Sequence, residues 1–450
     1  MRRSFLQEKV DKIFQIRASR SSPLIEVRAG LTTFVTMSYI LLVNPLILGQ
    51  AIPIEGIFPQ LLTSTALVSG VGCWLMAFLA RSPFALAPGM GMNSYFALSL
   101  VLGLGVPWQT ALGAVFISGA LFVLLSLFRI REVLTQMIPD NLKYASSAGL
   151  GLFLAMIGLQ NAGIIVKHEH TLVTLGDLHS PATFVALIGL VATLIFLAFR
   201  WRGAIVLGIV LATAFAILAQ MPVYGGRPFA GFSDGWLRFP QMPKDLWLSL
   251  DLKSALTWEM SGVIATFIFM LFFDTAGSLV GLSQLAGFPL QKDSHDKRMR
   301  RAFLSDALAT TLGSLLGVSP STCFMESATG IKEGGRTGLT AFTVGTLFFL
   351  SLFFWPLAGV VSKAATAPAL IVIGSFMMAS IRSVDWDDIT SSFPAFLTLL
   401  MIPLTFSIAN GVSFGILSYV LLKVCTGRYR EVSILLYLFA ALLTLRFFVH

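Results

Sequence analysis

The chain is dominated by apolar stretches that are each about as long as a membrane is thick. A helix that crosses a bilayer needs about 20 consecutive, mostly apolar residues. Of the 450 residues, 56% are hydrophobic and only 12% are charged. Soluble domains have about twice that charged fraction, roughly 25%. The sequence therefore predicts a polytopic membrane protein.

Fourteen such stretches divide the chain. The predicted spans are Glu26–Gln50, Gly56–Ala80, Ser82–Gly103, Pro107–Phe128, Leu142–Val166, Pro181–Phe199, Gly203–Gln220, Thr257–Leu285, Ala302–Val318, Pro320–Gly335, Thr337–Ser362, Ala365–Ile381, Pro394–Ala409 and Val412–Val424. The predicted fold class is thus all-α. A polar loop, 221–256, separates a first repeat of seven segments, 26–220, from a second, 257–424. The flanks are an N-terminal segment, 1–25, and a C-terminal segment, 425–450, which either spans the membrane or lies at its interface.

The basic residues predict the orientation of the chain. Cytoplasmic loops of membrane proteins carry an excess of Lys and Arg. Six basic residues precede the first span, and the other clusters fall in alternate loops, including the run 292–301. We therefore expect a cytoplasmic N-terminus, and the net charge of +9 reflects topology rather than nucleic-acid binding. The three cysteines are scattered and form no CxxC pair, so neither a disulfide framework nor a metal site is predicted, and no cofactor is expected.

Two predicted spans are interrupted by helix breakers. Val318–Leu339 contains the carboxylate of Glu326 followed by glycines, and Phe84–Phe96 contains Pro88, two glycines and then Asn93. A charge at membrane depth costs about 2.5–3.5 kcal/mol, and interrupted segments at matching places in two halves indicate a transporter binding site. The alternative is that Glu326 lies in a cytoplasmic loop.

Few ionisable groups lie within the predicted spans. Asp274 is in the middle of one, where hydrocarbon offers it no hydrogen bonds, so we expect it to be functional. Together with Glu326, it is a candidate for binding and releasing a proton. Asp306 begins the ninth predicted span and is interpreted as structural or capping. The candidate substrate-binding residues are Glu326, Asn93, Asp274, Ser94, Thr275, Phe273 and Phe324.

Several segments, in order along the chain, resemble the adenine–guanine–hypoxanthine permeases, the AzgA-like branch of the nucleobase–cation symporters. They are RAGLTTFVTMSYILLVNPLIL (Arg28–Leu48), APGMGMNSYFA (Ala87–Ala97), FFDTAGSLVG (Phe272–Gly281), ESATGIKEGGRTGLTA (Glu326–Ala341), ATAPAL (Ala365–Leu370) and FPAFLTLLMIPLTFSIANG (Phe393–Gly411).

The resemblance implies two inverted seven-segment repeats, a core and a gate domain, and a short strand with a half-helix in the third and tenth segments. It implies uptake of purine nucleobases coupled to protons, with Asn93, Asp274 and Glu326 in the site. It also implies that a homodimer can form. The resulting hypothesis is a proton-coupled purine importer of the inner membrane.

Two alternatives remain at this level. One is transport of another solute, such as an anion, on the same architecture, although anion sites favour basic groups over acids. The other is an intramembrane acid–base enzyme that uses Asp274 and Glu326, for which the sequence offers no accompanying nucleophile, histidine or metal-ligand set.

Overall fold

The computed structural model describes residues 11, 13–16, 18–127, 139–168, 171–224, 226–229, 238–288, 292–358, 360–405, 408–434, 436–437, 440–441 and 443–444. Within these ranges, the side chains of residues 273, 276, 277, 280, 284, 292–296, 358, 408 and 409 lie outside the description. Seven helices in the described ranges are long and apolar enough to cross a membrane, which agrees with the predicted helical membrane protein. The count of fourteen spans stays a prediction.

The helices follow the predicted segments closely. They are α1 Pro23–Met37, α2 Ile40–Ala51, α3 Ile57–Leu75, α4 Met90–Ser94, α5 Trp108–Leu127, α6 Asp140–Asn161, α7 Pro181–Ala198, α8 Ala204–Leu218, α9 Leu252–Ala255, α10 Trp258–Leu285, α11 Lys292–Leu315, α12 Ser327–Lys332, α13 Gly338–Ser351, α14 Trp355–Ala358, α15 Lys363–Met377, α16 Ile389–Leu404 and α17 Ile408–Cys425. Two π-helical stretches, Met76–Ala80 and Tyr95–Gly103, continue α3 and α4, and a 3₁₀ stretch, Met378–Ser383, continues α15.

Polar caps explain where several helices begin. The side chains of Ser22, Ser180, Ser362 and Asp388 accept hydrogen bonds from backbone N–H groups in the first turns of α1, α7, α15 and α16. Such caps satisfy donors that have no partner within the helix. In α1 and α7 a proline follows the cap, at a position where its missing N–H costs nothing.

Short strands depart from an all-α fold. The strands β1 Leu86–Pro88 and β4 Ser321–Cys323 pair antiparallel, with Ala87 opposite Thr322. The resemblance implied these two strands. A second pair, β2 Ile165–His168 and β3 Leu172–Leu175, forms a hairpin that was not predicted. The predicted span to Val166 was too long for this reason, because α6 ends at Asn161 and the apolar residues that follow it belong to the hairpin.

Two other boundaries differ from the prediction. Helix α11 begins at Lys292, ten residues before the predicted span, because a charged first half continues the helix beyond the apolar part. The terminal segments are described only in part: residues 1–10 and 445–450 lie outside the described residues, so the prediction for 425–450 remains untested.

The helices pack in two groups. In the first, α13 lies against α1 and α3, α11 lies against α5 and α3, and β1 and β4 lie among them. In the second, α6 packs against α15 and α16, α7 packs against α8 and α15, and α16 packs against α17. The groups meet at few places, one of which is α4 against α6.

Candidate functional site

A short two-stranded sheet brings the two interrupted segments together. The N–H of Gly89 donates to the Pro320 carbonyl at 2.9 Å, and the N–H of Phe324 donates to the Ala85 carbonyl at 3.0 Å. The Ser327 hydroxyl, at the first position of α12, accepts from the N–H of Ala85 at 3.0 Å. Each strand therefore leads into a short helix, and the two strand-to-helix junctions lie at the same sheet. We call this region the crossing; it comprises β1, α4, β4 and α12.

Glu326 lies at the start of α12, on the crossing. Its Oε1 accepts a hydrogen bond of 2.7 Å from the hydroxyl of Tyr39, which is 1% exposed at the junction of α1 and α2. The Thr329 hydroxyl donates to the Glu326 carbonyl at 2.7 Å and lies 3.2 Å from the hydroxyl of Thr36. The carboxylate is thus held by Tyr39, and the main chain of Glu326 is bonded within its own helix, so Glu326 does not lie in a free loop.

A glycine allows α12 to lie directly on α1. A Cβ at Gly330 would fall 2.6 Å from the carbonyl oxygen of Ala29 and 2.2 Å from the hydroxyl of Thr33. Real Cβ atoms do not approach backbone so closely, so only glycine fits here. This close approach brings Tyr39 of the α1–α2 junction within reach of Glu326.

Asn93 and Ser94 are fully buried on α4. Neither amide atom of Asn93 nor the Ser94 hydroxyl has a hydrogen-bond partner among the described residues. A buried amide without a partner costs about 1–3 kcal/mol, so such groups in native proteins usually serve water or a ligand. On the other side of α4, a Cβ at Gly91 would fall 2.3 Å from Leu150 of α6. Asn93 therefore lies where the first helix group meets the second.

Asp274 of α10 lies beside the crossing. Its carboxyl group is close to the side chain of Thr322 in β4, and it interacts electrostatically with Glu326 and Asp306. The next residue, Thr275, donates a short hydrogen bond to Oδ2 of Asp306. Three carboxyl groups from α10, α11 and α12 are thus grouped around β4.

Asp306 does not cap a helix, contrary to the sequence interpretation. It lies inside α11, which begins fourteen residues earlier, and it is fully buried. Its Oδ1 has no hydrogen-bond partner in the described part of the chain. The capping alternative was wrong because it placed the start of the helix at the start of the apolar run; the structural alternative stays a prediction.

The two candidate aromatic residues remain untested as ring-stacking partners. Phe324 directly follows β4 and is 6% exposed. The side chain of Phe273 lies outside the described part of the structure. Tyr39 was missed as a site residue, although it lies in Arg28–Leu48, one of the segments on which the family resemblance rested.

Partly buried carboxylates and a fully buried amide at the crossing of two half-helices are an arrangement typical of secondary transporters, in which interrupted segments build the substrate site. A permease-family model (Xan_ur_permease, described as Permease family) matches residues 24–414. The chain is 40% identical over 445 residues to the guanine/hypoxanthine permease PbuO of Bacillus subtilis, covering 97% of this chain and 100% of that protein. It is 37% identical over 438 residues to the adenine permease AdeQ of Escherichia coli, covering 97% and 96%.

The chain therefore belongs to this permease family, which confirms the resemblance to the adenine–guanine–hypoxanthine permeases; it is a transporter and not an enzyme. Among solved structures, it is similar to the transmembrane domain of a cyanobacterial bicarbonate transporter, BicA, with a TM-score of 0.64 and 16% identity. That match covers 86% of this chain and 96% of the other. At this identity the likeness shows a shared fold and nothing about the substrate.

Proposed function

We propose that the protein imports purine nucleobases (hypoxanthine, guanine or adenine) together with protons across the inner membrane, with its N-terminus in the cytoplasm. The observation that carries the proposal is that one crossing holds both the Glu326 carboxylate and the buried amide of Asn93, which has no hydrogen-bond partner among the described residues. The names of the two relatives, a guanine/hypoxanthine permease and an adenine permease, support purine nucleobases as the substrate class.

The chemistry of the site suits a flat, neutral heterocycle that is rich in N–H groups. Glu326 accepts a base N–H in a charge-assisted hydrogen bond, and the Asn93 amide pairs with an adjacent carbonyl or ring nitrogen, because an amide both donates and accepts. The grouped side chains are acids and neutral polar residues. An anion would be repelled by these acids, and anion sites favour basic groups.

We assign the proton to the carboxyl cluster, with Asp274 as its carrier. Three neighbouring negative charges in a low-dielectric interior repel one another strongly, and a proton held among them removes much of that repulsion. Loading and release of that proton would then be linked to binding of the base at Glu326.

The proposed architecture has fourteen segments in two inverted repeats, 26–220 and 257–424, joined by the loop 221–256. The packing supports it, because three contacts in one repeat have an equivalent contact in the other. The contact of α5 with α11 corresponds to that of α13 with α3, the contact of α7 with α8 to that of α16 with α17, and the contact of α6 with α16 to that of α15 with α7. The group around the crossing would form the moving core, and α6–α8 with α15–α17 the gate.

The test is uptake of radiolabelled hypoxanthine by cells that lack their own purine permeases. Excess adenine, guanine, xanthine, uracil or bicarbonate is added in turn, with and without a protonophore. Inhibition by purines and by the protonophore is the expected result. A well-expressed protein that takes up no purine would refute the substrate, and uptake insensitive to the protonophore would refute the coupling.

The variant Asp274→Asn separates the two parts of the proposal. It is expected to abolish accumulation of hypoxanthine against a gradient, because the amide cannot carry a proton, while binding to the purified protein remains measurable. Asp177→Asn, which changes an exposed loop acid in the same way, is the matched control. Accumulation at the wild-type level in Asp274→Asn would refute the role given to Asp274.

A further inference from the structure

Tyr39 is the one further residue whose side chain reaches the Glu326 carboxylate with a hydrogen bond in the described part of the chain. Its hydroxyl donates to Oε1 at 2.7 Å, and the ring is 1% exposed. Tyr39 lies in the two-residue turn between α1, which ends at Met37, and α2, which begins at Ile40. The hydroxyl is therefore held in place by a junction that packs against α12, and it does not rotate freely as a surface side chain would.

The contacts around this pair leave it little freedom. The backbone of α12 lies against α1 at Gly330, and the Thr36 and Thr329 hydroxyls lie 3.2 Å apart one turn away from the pair. If the buried Tyr39 hydroxyl left Glu326, it would lose a charge-assisted hydrogen bond. We therefore expect the Tyr39–Glu326 bond to persist when a ligand binds.

A carboxylate can bind a ligand in two ways. With both oxygens free, it accepts two parallel N–H groups in a fork; a donor already on one oxygen uses one of that oxygen's two lone pairs and competes with the second N–H. Guanine presents two adjacent donors on one edge, its ring N1–H and its 2-amino group, whereas hypoxanthine presents the ring N1–H alone. A donor on Oε1 thus weakens the hydrogen bond that the 2-amino group can make.

We propose that Tyr39 is a specificity-determining positioning residue, whose hydroxyl competes with the ligand for Oε1 of Glu326, so that the carboxylate does not discriminate in favour of 2-amino purines. The inference rests on the proposed purine transport and goes beyond it, because it assigns the relative acceptance of two purines to a residue outside the crossing.

The experiment measures binding of hypoxanthine and guanine to purified wild-type protein and to Tyr39→Phe, and KM and maximal rate of uptake for both bases in cells. In the wild type, the two affinities are expected to agree within about threefold. In Tyr39→Phe, Oε1 is free to accept the 2-amino group, and the ratio of guanine to hypoxanthine affinity is expected to rise about tenfold, the equivalent of about 1.4 kcal/mol. The change should lie in KM rather than in the maximal rate.

Tyr224→Phe is the matched control, since it removes a hydroxyl that donates to the Val360 carbonyl at 2.8 Å, far along the chain from the crossing residues. An equal loss for both bases in Tyr39→Phe would mean a purely structural role and would overturn the inference. If that variant does not fold, the wild-type comparison decides: near-equal affinities support the inference, and guanine bound more than about tenfold tighter overturns it. Absence of purine uptake by the wild type would instead refute the proposed function itself.

Discussion

The buried carboxylate of Glu26 gives the most direct test of how the first helix group is held together. Glu26 is fully buried in the first turn of α1. It accepts hydrogen bonds from the N–H groups of Arg336 and Thr337, at 3.0 and 3.1 Å, and from the Thr340 hydroxyl at 2.6 Å. These donors surround the start of α13, where backbone N–H groups have no partner within the helix and a negative charge is favoured.

Replacing Glu26 by Ala leaves the N–H groups of Arg336 and Thr337 without their acceptor, while the Thr340 hydroxyl keeps the main-chain carbonyl of residue 26 at 3.3 Å. Each unsatisfied N–H group costs about 1–3 kcal/mol, so we expect a loss of about 2–6 kcal/mol of folding free energy. With an unfolding entropy of about 2.1 cal/mol/K per residue, this lowers the melting temperature of a chain of this size by roughly 2–6 °C. Glu26→Gln keeps one acceptor oxygen and should lose less.

The assay is thermal unfolding in detergent, followed with a thiol-reactive dye. Cys73 and Cys323 are buried and react only on unfolding, whereas the exposed Cys425 reacts at once and sets the baseline. Glu55→Ala, which removes an exposed acid between α2 and α3, is the matched control. A Glu26→Ala melting temperature within about 1 °C of the wild type would refute the reasoning, because two unsatisfied N–H groups should lower it by more than that.

Two further predictions concern the second helix group and the crossing. The Thr390 hydroxyl, more than any other contact, lowers the pKa of Asp388 below its ordinary value of 3.8. Ionised Asp388 therefore stabilises the fold at neutral pH, and this contribution is lost as the pH falls below about 5. The Asp388→Asn protein should melt at a lower temperature than the wild type at pH 7, but lose less stability than the wild type between pH 5 and 3. Gly330→Ala should sharply reduce hypoxanthine uptake, because its Cβ would meet the Ala29 carbonyl and displace α12, while Gly49→Ala, whose Cβ has ordinary contacts at 3.8 Å, should leave uptake unchanged.

Hydropathy alone predicted most helix positions. About 20 apolar residues in a row can lie in a bilayer, and a helix satisfies all their backbone hydrogen bonds within the segment. It failed where charge or strand residues adjoin an apolar run. The start of α11 was missed because its first turns are charged, and the end of α6 was missed because Ile165 and Val166 are as apolar in a strand as in a helix.

The candidate site could be predicted only as separate pieces. Breakers and isolated polar groups singled out Asn93, Asp274 and Glu326, but the pairing of Asp306 with Thr275 joins residues 31 positions apart on different helices. The bond from Tyr39 to Glu326 spans 287 positions. No periodicity in the sequence encodes such contacts, since they arise from the packing of α1 on α12 and of α10 beside α11.

Glu333, at the end of α12, shows how the same packing bears on movement. It accepts hydrogen bonds from Arg28 of α1, at 2.7 Å, and from Arg202 between α7 and α8. The first partner lies in the same helix group, whereas the second joins the two groups. The Arg202 side chain is 56% exposed, whereas the Glu333 side chain is only 15% exposed. If Arg202 leaves, Glu333 keeps Arg28 as its partner, so its charge is not left unpaired. The proposed movement of the two groups could therefore break this contact, while the buried contacts of α12 with α1 hold Glu326 and Tyr39 together.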